Sequence, residues 1–454
     1  MRYLLGPILV LLLAAGVLFF VAGRGEAPSI LIVQPAKTIG ADATLEVTVE
    51  TPKSKLSRLD IALEQNGKST PLFSLAAPGS AALTQVTPDR IRISRPVGKR
   101  AIPDLQAGKA RILVTAARTT MFGLRTKEAT AAREVTARFV PPRVSAVSTH
   151  HYVNLGGSEM VVYTVAPPDA ASGVLVGDRF YPGFPASGAG MTSSDAGLRV
   201  AFFALLYDQD LATPIRLLAR DEAGNETKVS FDYKPFARKF TRDRIELSDP
   251  FLRRVVPEIL EHAPELKLAV SSDADYLPAF LKINNDLRRI DTAKLVDLAG
   301  QTSPQMLWKG PFIPLGNAKV ESKFADHRTY FYQGKEVDQQ VHLGFDLAVT
   351  KQIPVKAGND GKVVYADYLG IYGNCVVIDH GMGVQSLYGH LSSIEVKAGD
   401  AVTRGQQIGR SGMTGLAGGD HLHFSVMLQG NMVNPVEWWD PHWVEDRVVR
   451  KLRE

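Results

Sequence analysis

Short strand-like segments separated by proline and glycine turns fill the chain from residue 27 to about residue 235. Runs such as TLEVTVE (44–50) and LDIALEQ (59–65) alternate apolar and polar residues, which is the pattern of half-buried strands. Many short strands at close spacing predict two sheets packed face to face. The dipeptide Pro141-Pro142 is a stiff joint that would separate two such units. The sequence therefore predicts a mainly β protein.

The second strand-rich region ends in a predicted hairpin, IRLLARDEAGNETKVSFDY (215–233). Its ARDEAGNET string resembles the last hairpin of many bacterial immunoglobulin-like modules. We therefore predict two immunoglobulin-like β-sandwich modules, at 26–140 and 141–236. Neither region holds a cluster of histidine, cysteine and carboxylate residues, and the adjacent His150 and His151 are predicted to lie at the surface. Both modules are interpreted as spacers or as binding modules.

The amino-terminal segment 4–23 carries no charged residue. About 20 apolar residues suffice for a helix to cross a bilayer, whereas the apolar part of a secretory signal is usually ~7–15 residues long. We therefore predict a transmembrane anchor at 1–25, with Arg2 favouring an amino terminus left inside. A cleaved signal peptide ending near Gly23 is the alternative. Both interpretations place the rest of the chain outside the cytoplasm.

The net charge and the number of cysteines exclude a nucleic-acid partner and a disulfide. The net charge of +5 is spread along the 454 residues without a basic run, so no nucleic-acid partner is predicted. Cys375 is the only cysteine, which rules out an intrachain disulfide, and it is predicted to be buried and inert.

A helical connector is predicted between the strand-rich regions and the carboxyl-terminal part. Ser248-Asp249-Pro250 is typical of a helix start, and we predict that the connector covers 237–316, with breaks at Pro257 and Pro264.

Histidines concentrate near the carboxyl end, where seven of the ten lie from His327 onward. Three short strings stand out: HLGFD (342–346), YGHL (388–391) and HLHF (421–424). In a straight strand the first and last residues of HLGFD would stand ~13 Å apart, so the chain must bend for both to reach one ion, and Gly344 permits the bend. In HLHF the period of a strand already directs both histidines to one side. Imidazole and carboxylate are ligands that suit zinc.

The other three histidines of this region belong to no such string, and they are predicted to be structural or surface residues: His327, His380 and His442. His380 is predicted to lie in a turn, because IDHGMG contains two glycines.

Five strings in this order resemble the lysostaphin/LytM-type zinc metallopeptidases: HLGFD, GNDGKVVYA, YGNCVVIDHGMGVQSLYGHLS, VKAGDAVTRGQQIGRSGMTG and GGDHLHFSV. The resemblance implies an antiparallel-β LytM-type peptidase domain with a groove across it, which we place at 317–445. It implies that the zinc ligands are His342, Asp346 and His423, and that His390 and His421 are the catalytic histidines.

The resemblance further implies a zinc-dependent endopeptidase that cleaves peptidoglycan cross-links or stem peptides. The expected location is the inner membrane, spanned once, with the bulk of the chain in the periplasm and with envelope proteins as partners of the β modules. The alternative is a non-catalytic scaffold that binds peptidoglycan or activates another hydrolase. The sequence leaves open which histidine is the general base, and whether Asp420 orients His421 or ends the loop.

Overall fold

The computed structural model describes residues 13, 16–17, 26–51, 56–77, 81–120, 125–348 and 350–453. The predicted anchor at 1–25 lies almost entirely outside these residues. Among the described residues, no helix combines the length and the apolar character that crossing a bilayer requires. The chain divides into two compact units, one comprising 1–142 with 220–227 and the other comprising 143–219 with 228–454.

The first unit is built from two sheets around one apolar core. Its sheets have the strand orders β1-β3-β7-β6 and β2-β9-β8-β4-β5. Alternate residues of β3 and β4 are buried, as the sequence predicts, and each fully buried Leu, Ile or Val side chain contributes about 1.5–3 kcal/mol. The strands are β1 Ser29–Gln34, β2 Thr38–Ile39, β3 Thr44–Glu50, β4 Leu56–Gln65, β5 Lys68–Ser74, β6 Ala82–Thr87, β7 Arg90–Pro96, β8 Gly108–Thr120 and β9 Arg125–Ala137.

Another strand-rich region follows, and most of its residues belong to the second unit. Its sheets have the orders β10-β12-β16-β15 and β14-β13-β17-β18, and β11 pairs in parallel with β19. The strands are β10 Arg143–Ala146, β11 His151–Asn154, β12 Gly157–Ala166, β13 Ala171–Val176, β14 Arg179–Pro182, β15 Phe184–Pro185, β16 Leu198–Leu205, β17 Ile215–Arg220, β18 Glu226–Ser230 and β19 Tyr233–Phe236. The prediction of a mainly β protein is therefore confirmed.

A helical region follows strand β20 (Arg242–Leu247). Helix α1 (Asp249–Glu261) begins as predicted, because the Ser248 side chain accepts the backbone N–H of Phe251. The predicted break at Pro257 is wrong. The helix continues through this proline, because its buried face, Leu252, Val255, Val256 and Ile259, outweighs the lost hydrogen bond. Helices α2 (Tyr276–Lys282) and α3 (Arg288–Ala299) follow, joined by a π-helical turn at Ile283–Leu287.

The last part of the second unit is an antiparallel sheet of order β21-β24-β32-β28-β27-β26-β30, flanked by the sheets β20-β22-β23 and β25-β31-β29. The strands are β21 Lys319–Ser322, β22 Asp326–Tyr332, β23 Lys335–His342, β24 Phe345–Ala348, β25 Pro354–Lys356, β26 Gly361–Tyr368, β27 Asn374–Gly381, β28 Val384–Gly389, β29 Ser393–Ile394, β30 Ala401–Val402, β31 Gln407–Arg410, β32 His421–Leu428 and β33 Asn431–Val433. Short helices close the chain: α4 Pro435–Trp439, α5 Pro441–Val444 and α6 Arg450–Arg453.

One continuous core links these parts of the second unit. The ring of Trp438 lies 5.8 Å from that of Phe202 on β16 and 5.5 Å from that of Trp308. The neighbouring Glu437 accepts hydrogen bonds from the Asn154 side chain at 2.8 Å and from the Ser158 backbone at 2.7 Å. Strands β11, β12 and β16 therefore pack directly against helix α4 (Pro435–Trp439) of the carboxyl-terminal part.

Two histidines occupy places that the sequence did not predict. His380 is buried within β27, and the turn begins only at Gly381 and Met382, whose φ angles are positive. His151 is also buried rather than at the surface, because the Ser148 hydroxyl and the Asp232 carbonyl satisfy its two ring nitrogens. Cys375 is buried, as predicted, and burial raises the pKa of its thiol well above the ordinary value.

Candidate metal centre and active-site groove

The HLGFD string crosses from one sheet to another, and this crossing supplies the predicted bend. Strand β23 ends at His342, and β24 begins at Phe345 in the neighbouring sheet. Asp346 then pairs directly with His423 on β32. A side chain at Gly344 would place its Cβ 2.5 Å from the His423 Nε2 atom, so the bend can pass the imidazole only with glycine at this position.

The three predicted ligands converge on one point inside the protein. The His342 Nε2 and Asp346 Oδ1 atoms lie 2.9 Å apart, and the His423 Nδ1 atom lies 3.0 Å from each of them. Two ligand atoms bound ~2 Å from one ion cannot be more than ~4 Å apart, and all three pairs meet this condition. All three side chains are buried. Two imidazole nitrogens and one carboxylate oxygen therefore form a donor set that fits Zn²⁺.

Hydrogen bonds on the outer side of each ligand select the protonation that metal binding needs. The His342 Nδ1–H group donates to the Lys323 carbonyl at 3.0 Å, which leaves the Nε2 lone pair facing the cluster. The Ser425 hydroxyl donates to the Leu343 carbonyl, so it accepts the His423 Nε2–H at 2.9 Å and leaves Nδ1 for the cluster. Such partners of a ligand typically change metal affinity 10–100-fold when they are removed.

The remaining oxygen of Asp346 is held by an arginine. Arg328 Nη2 donates to Asp346 Oδ2 at 2.7 Å and also to the Ser322 hydroxyl at 2.8 Å. The sequence analysis did not single out Arg328, although it stands in the FADHR string that precedes the first ligand. No local sequence pattern marks this arginine, because its role follows from the pairing of β22 with the strand that carries His342.

The two predicted catalytic histidines stand beside the cluster, with ring centres 4.8 Å apart. The His421 Nε2 atom lies 3.4 Å from Asp346 Oδ1. His390 Nδ1–H donates to the Thr414 carbonyl at 2.8 Å, and His421 Nδ1–H donates to the Gly419 carbonyl at 2.9 Å. Each imidazole is thus oriented by a carbonyl of the loop 411–420 and keeps its Nε2 atom for chemistry.

Burial and mutual contact determine the charges of the site. Burial lowers the pKa of His423 to about 4 and that of His390 well below its ordinary value, so both imidazoles are neutral at pH 7. Burial alone would raise the pKa of Asp346, but the surrounding histidines hold this pKa well below the ordinary value. Burial also opposes protonation of His421, but the Asp346 carboxylate more than offsets it and raises the pKa of His421.

All five of these residues, four histidines and one aspartate, line a groove of about 500 Å³. The lining also includes residues of β20, α1 and α2, among them Leu247, Phe251 and Phe280. Helix α1 also holds the loop 411–420, because Arg254 donates to the Met413 and Ala417 carbonyls and Glu258 accepts the Gly415 N–H at 2.8 Å. The helical region is therefore part of the groove.

The structure also bears on residues whose roles the sequence left open. Asp420 accepts from the Ser411 hydroxyl at 2.6 Å and from the Gln352 N–H at 3.2 Å, so it anchors the loop and does not orient His421. Among residues that the sequence analysis did not single out, Tyr330 lines the groove, whereas the Tyr332 hydroxyl donates to Asp249. His442 is exposed, as predicted.

Comparison with known proteins places this site in a family. Residues 340–435, which contain all five of these site residues, match the model of Peptidase family M23. This part of the chain is an M23 peptidase domain.

Three relatives of the M23 domain are similar over about a fifth of this chain. The first, the DD-carboxypeptidase/endopeptidase Mpg of Neisseria meningitidis serogroup B, is 41% identical over 97 residues, which cover 21% of this chain and 22% of the relative. Peptidoglycan DD-endopeptidase ShyA of Vibrio cholerae is 44% identical over 96 residues, with 21% and 22% coverage. The murein hydrolase activator EnvC of Escherichia coli is 41% identical over 95 residues, with 21% and 23% coverage.

The similarity to these relatives is confined to one part of each protein. The chain spans less than a quarter of the length of these three relatives. The similarity therefore concerns the M23 domain and does not extend to the regions that precede it.

Proposed function

We propose that this protein is a zinc-dependent endopeptidase that hydrolyses peptide bonds of peptidoglycan, in cross-links or stem peptides. The observation that carries the proposal is the complete site: three ligand atoms within 3.0 Å of one another, with two further imidazoles beside them in an open groove. The names of Mpg and ShyA, which describe endopeptidases, support the same reaction class.

In this proposal His342, Asp346 and His423 hold the zinc ion. When bound, zinc supplies Lewis acidity, which polarises a carbonyl and activates water at neutral pH. Arg328 and Ser425 keep the ligand atoms turned toward the ion through the hydrogen bonds described above. The lowered pKa of His423 serves this role, because a metal ligand must be the neutral imidazole.

His390 and His421 carry the proton transfers. Because its pKa lies well below the ordinary value, His390 is neutral, and because its Nδ1–H group donates to the Thr414 carbonyl, its Nε2 lone pair is suited to accept a proton. The raised pKa of His421 suits it to donate a proton to the leaving amine or to stabilise the negative charge that develops on the substrate oxygen. Proton transfer by a positioned side chain typically accelerates such reactions 10²–10⁴-fold.

A second function is a non-catalytic scaffold that binds peptidoglycan or activates another hydrolase. The similarity to the murein hydrolase activator EnvC favours it. The filled ligand positions and both flanking histidines favour the enzyme instead, because a scaffold needs neither.

The proposal includes the place of the protein in the cell. We propose a single-pass anchor at 1–25 in the inner membrane and a periplasmic location for the rest of the chain, as the charge-free segment 4–23 predicts. We also propose that the strand-rich regions 26–140 and 141–236 are immunoglobulin-like modules that bind envelope proteins, with a connector at 237–316 and the peptidase domain at 317–445. The two-sheet construction of both strand-rich regions supports the assignment of immunoglobulin-like modules.

Digestion of defined muropeptides by the zinc-loaded full chain, with products identified by mass, tests the proposal. We expect one class of peptide bond to be hydrolysed, and we expect a zinc chelator to abolish the products and added zinc to restore them. If the zinc-loaded protein releases no peptide but stimulates a separate cell-wall hydrolase, the scaffold is the correct interpretation and the enzyme is not.

A further inference from the structure

A second cavity, of about 590 Å³, lies beside the catalytic groove. It is formed within the second unit by β14 and the end of β16, by helix α3 and by the hairpin β22–β23. The two cavities share a wall, because four residues line both of them: Arg288, Arg328, Leu343 and Tyr372. The second cavity therefore adjoins the groove across these four residues.

The lining of the second cavity is basic and rich in hydrogen-bond donors. Arginines contribute from three separate elements, and amide and hydroxyl groups lie between them, whereas the described lining contains one acidic residue, Asp208. The basic and polar residues of this lining include Arg179, Arg288, Arg289, His327, Gln340 and Asn431.

Two of these arginines form no ion pair among the residues that the structure describes; Arg288 interacts with the Asp291 carboxyl only through longer-range electrostatics. Arg328 is bound to Asp346, and Arg289 is paired with Asp286. Within the described part of the chain, in contrast, Arg179 bonds only to the Asn431 amide oxygen at 2.8 Å. Arg288 bonds to the Asn284 amide oxygen at 2.8 Å and to the Asn284 carbonyl at 3.2 Å, and it forms no ion pair there.

An arginine that is bound only to neutral oxygens beside an open cavity retains its capacity for an anion. Hydrogen bonds between guanidinium and carboxylate are roughly twice as strong as neutral ones and are often bidentate. A carboxylate that enters the cavity would therefore replace a weak partner with a strong one. Arg288 is the residue best placed to couple this binding to catalysis, because it lines both cavities.

We propose that this cavity, through Arg179 and Arg288, binds a free carboxylate of the peptide substrate and selects acidic peptides for cleavage in the groove. This inference rests on the proposed endopeptidase function and narrows its substrate class. The cavity is named here the carboxylate subsite.

A matched pair of synthetic substrates tests the carboxylate subsite in the full-length, zinc-loaded protein. One peptide carries a free carboxylate beside the cleaved bond, and the other carries the amide of the same carboxylate. We expect a preference of about tenfold in kcat/KM for the free acid, equivalent to ~1.4 kcal/mol, expressed mainly in KM. We expect Arg288→Gln and Arg179→Gln each to reduce this preference severalfold, and Arg288→Lys to retain part of it.

Arg253→Gln is the control variant, because Arg253 is ion-paired with Asp273 on the outer side of α1 and lines neither cavity. It should keep the full preference. Equal cleavage of both peptides by the wild type, or an unchanged preference in both glutamine variants, would overturn the subsite while leaving the endopeptidase intact.

The same peptides distinguish failure of the subsite from failure of the proposed function. If the zinc-loaded protein cleaves neither peptide, the endopeptidase proposal fails, and the subsite is then judged by calorimetric titration with each peptide. Tighter binding of the free acid that is lost in Arg179→Gln and Arg288→Gln supports the subsite. Equal binding of the two peptides overturns it.

Discussion

His421 and His423 lie two residues apart on β32 but have different relations to the ligand cluster. His423 Nδ1 is within 3.0 Å of both other ligand atoms, whereas His421 Nε2 approaches only Asp346, at 3.4 Å. The period of the strand puts both imidazoles on one side, as the sequence predicted. The difference between them arises from the register with β24, in which Asp346 lies opposite His423.

This difference predicts separate effects of alanine substitution. His423→Ala removes a ligand, so we expect loss of both bound zinc and hydrolysis. His421→Ala leaves the three ligands in place, so we expect it to retain zinc but lose turnover by ~10²–10⁴-fold. Zinc content by mass spectrometry and the rate of muropeptide hydrolysis check both outcomes. A His421→Ala protein with full activity would show that this histidine has no catalytic role.

Gly344 is a second residue whose identity the site requires. The atoms around it leave no room for a Cβ, which would meet His423 Nε2 at 2.5 Å and Ser425 Oγ at 2.7 Å. We expect Gly344→Ala to displace the His423 ring and to weaken zinc binding at least tenfold, measured by competition with a chelating dye. Gly316→Ala is the matched control, because a Cβ there has no described atom within 4 Å. Equal zinc affinity in the two variants would contradict the steric argument.

At the scale of elements, helix α1 acts on the catalytic histidines through the loop 411–420. Glu258 accepts both the Gly415 N–H and the Tyr368 hydroxyl, and the Thr414 carbonyl next to this contact orients His390. The His262 ring stacks on Tyr368 with centres 3.8 Å apart and strengthens the same junction. The helix is therefore a support for the loop as well as a wall of the groove.

We expect Glu258→Ala to reduce kcat by about tenfold with little change in zinc content, because a positioning contact is lost and no ligand is touched. In Glu258→Ala, hydrogen–deuterium exchange of the Gly415 amide should be faster than in the wild type. Glu261→Ala is the control, since Glu261 is exposed at the end of the same helix. If the exchange of Gly415 accelerates but kcat does not change, α1 supports the loop without supporting catalysis.

At the scale of the whole molecule, the continuous core of the second unit ties its stability to buried histidines outside the site. His380 is fully buried, with Nδ1 2.6 Å from the Asp360 carbonyl and Nε2 2.7 Å from the Ser386 hydroxyl. Burial lowers the pKa of His380 to about 4. The folded state therefore resists protonation of this imidazole, which the unfolded chain accepts near pH ~6.5.

The sign of this shift predicts acid sensitivity. Because the folded pKa is below the unfolded pKa, His380 stabilises the protein fully above pH ~6.5, and this stability is lost as the pH falls toward 4. We expect His380→Gln to be less stable at pH 7 but to lose less of its free energy of unfolding between pH 6.5 and 4. The difference should be on the order of 1–3 kcal/mol in denaturant titrations. His442→Gln, which changes an exposed histidine, should retain the wild-type dependence of the free energy of unfolding on pH.

The sequence by itself determined the local features: strands β3 and β4 from their alternation, the start of α1 from Ser248, and the shared side of His421 and His423. These follow from interactions within a few residues. Only the tertiary structure decided that α1 runs through Pro257, that His380 is buried and that Arg328 binds Asp346. The contact between Glu258 and Gly415 joins residues 157 positions apart, and no local pattern encodes such a contact, because packing energy from distant strands and helices selects it.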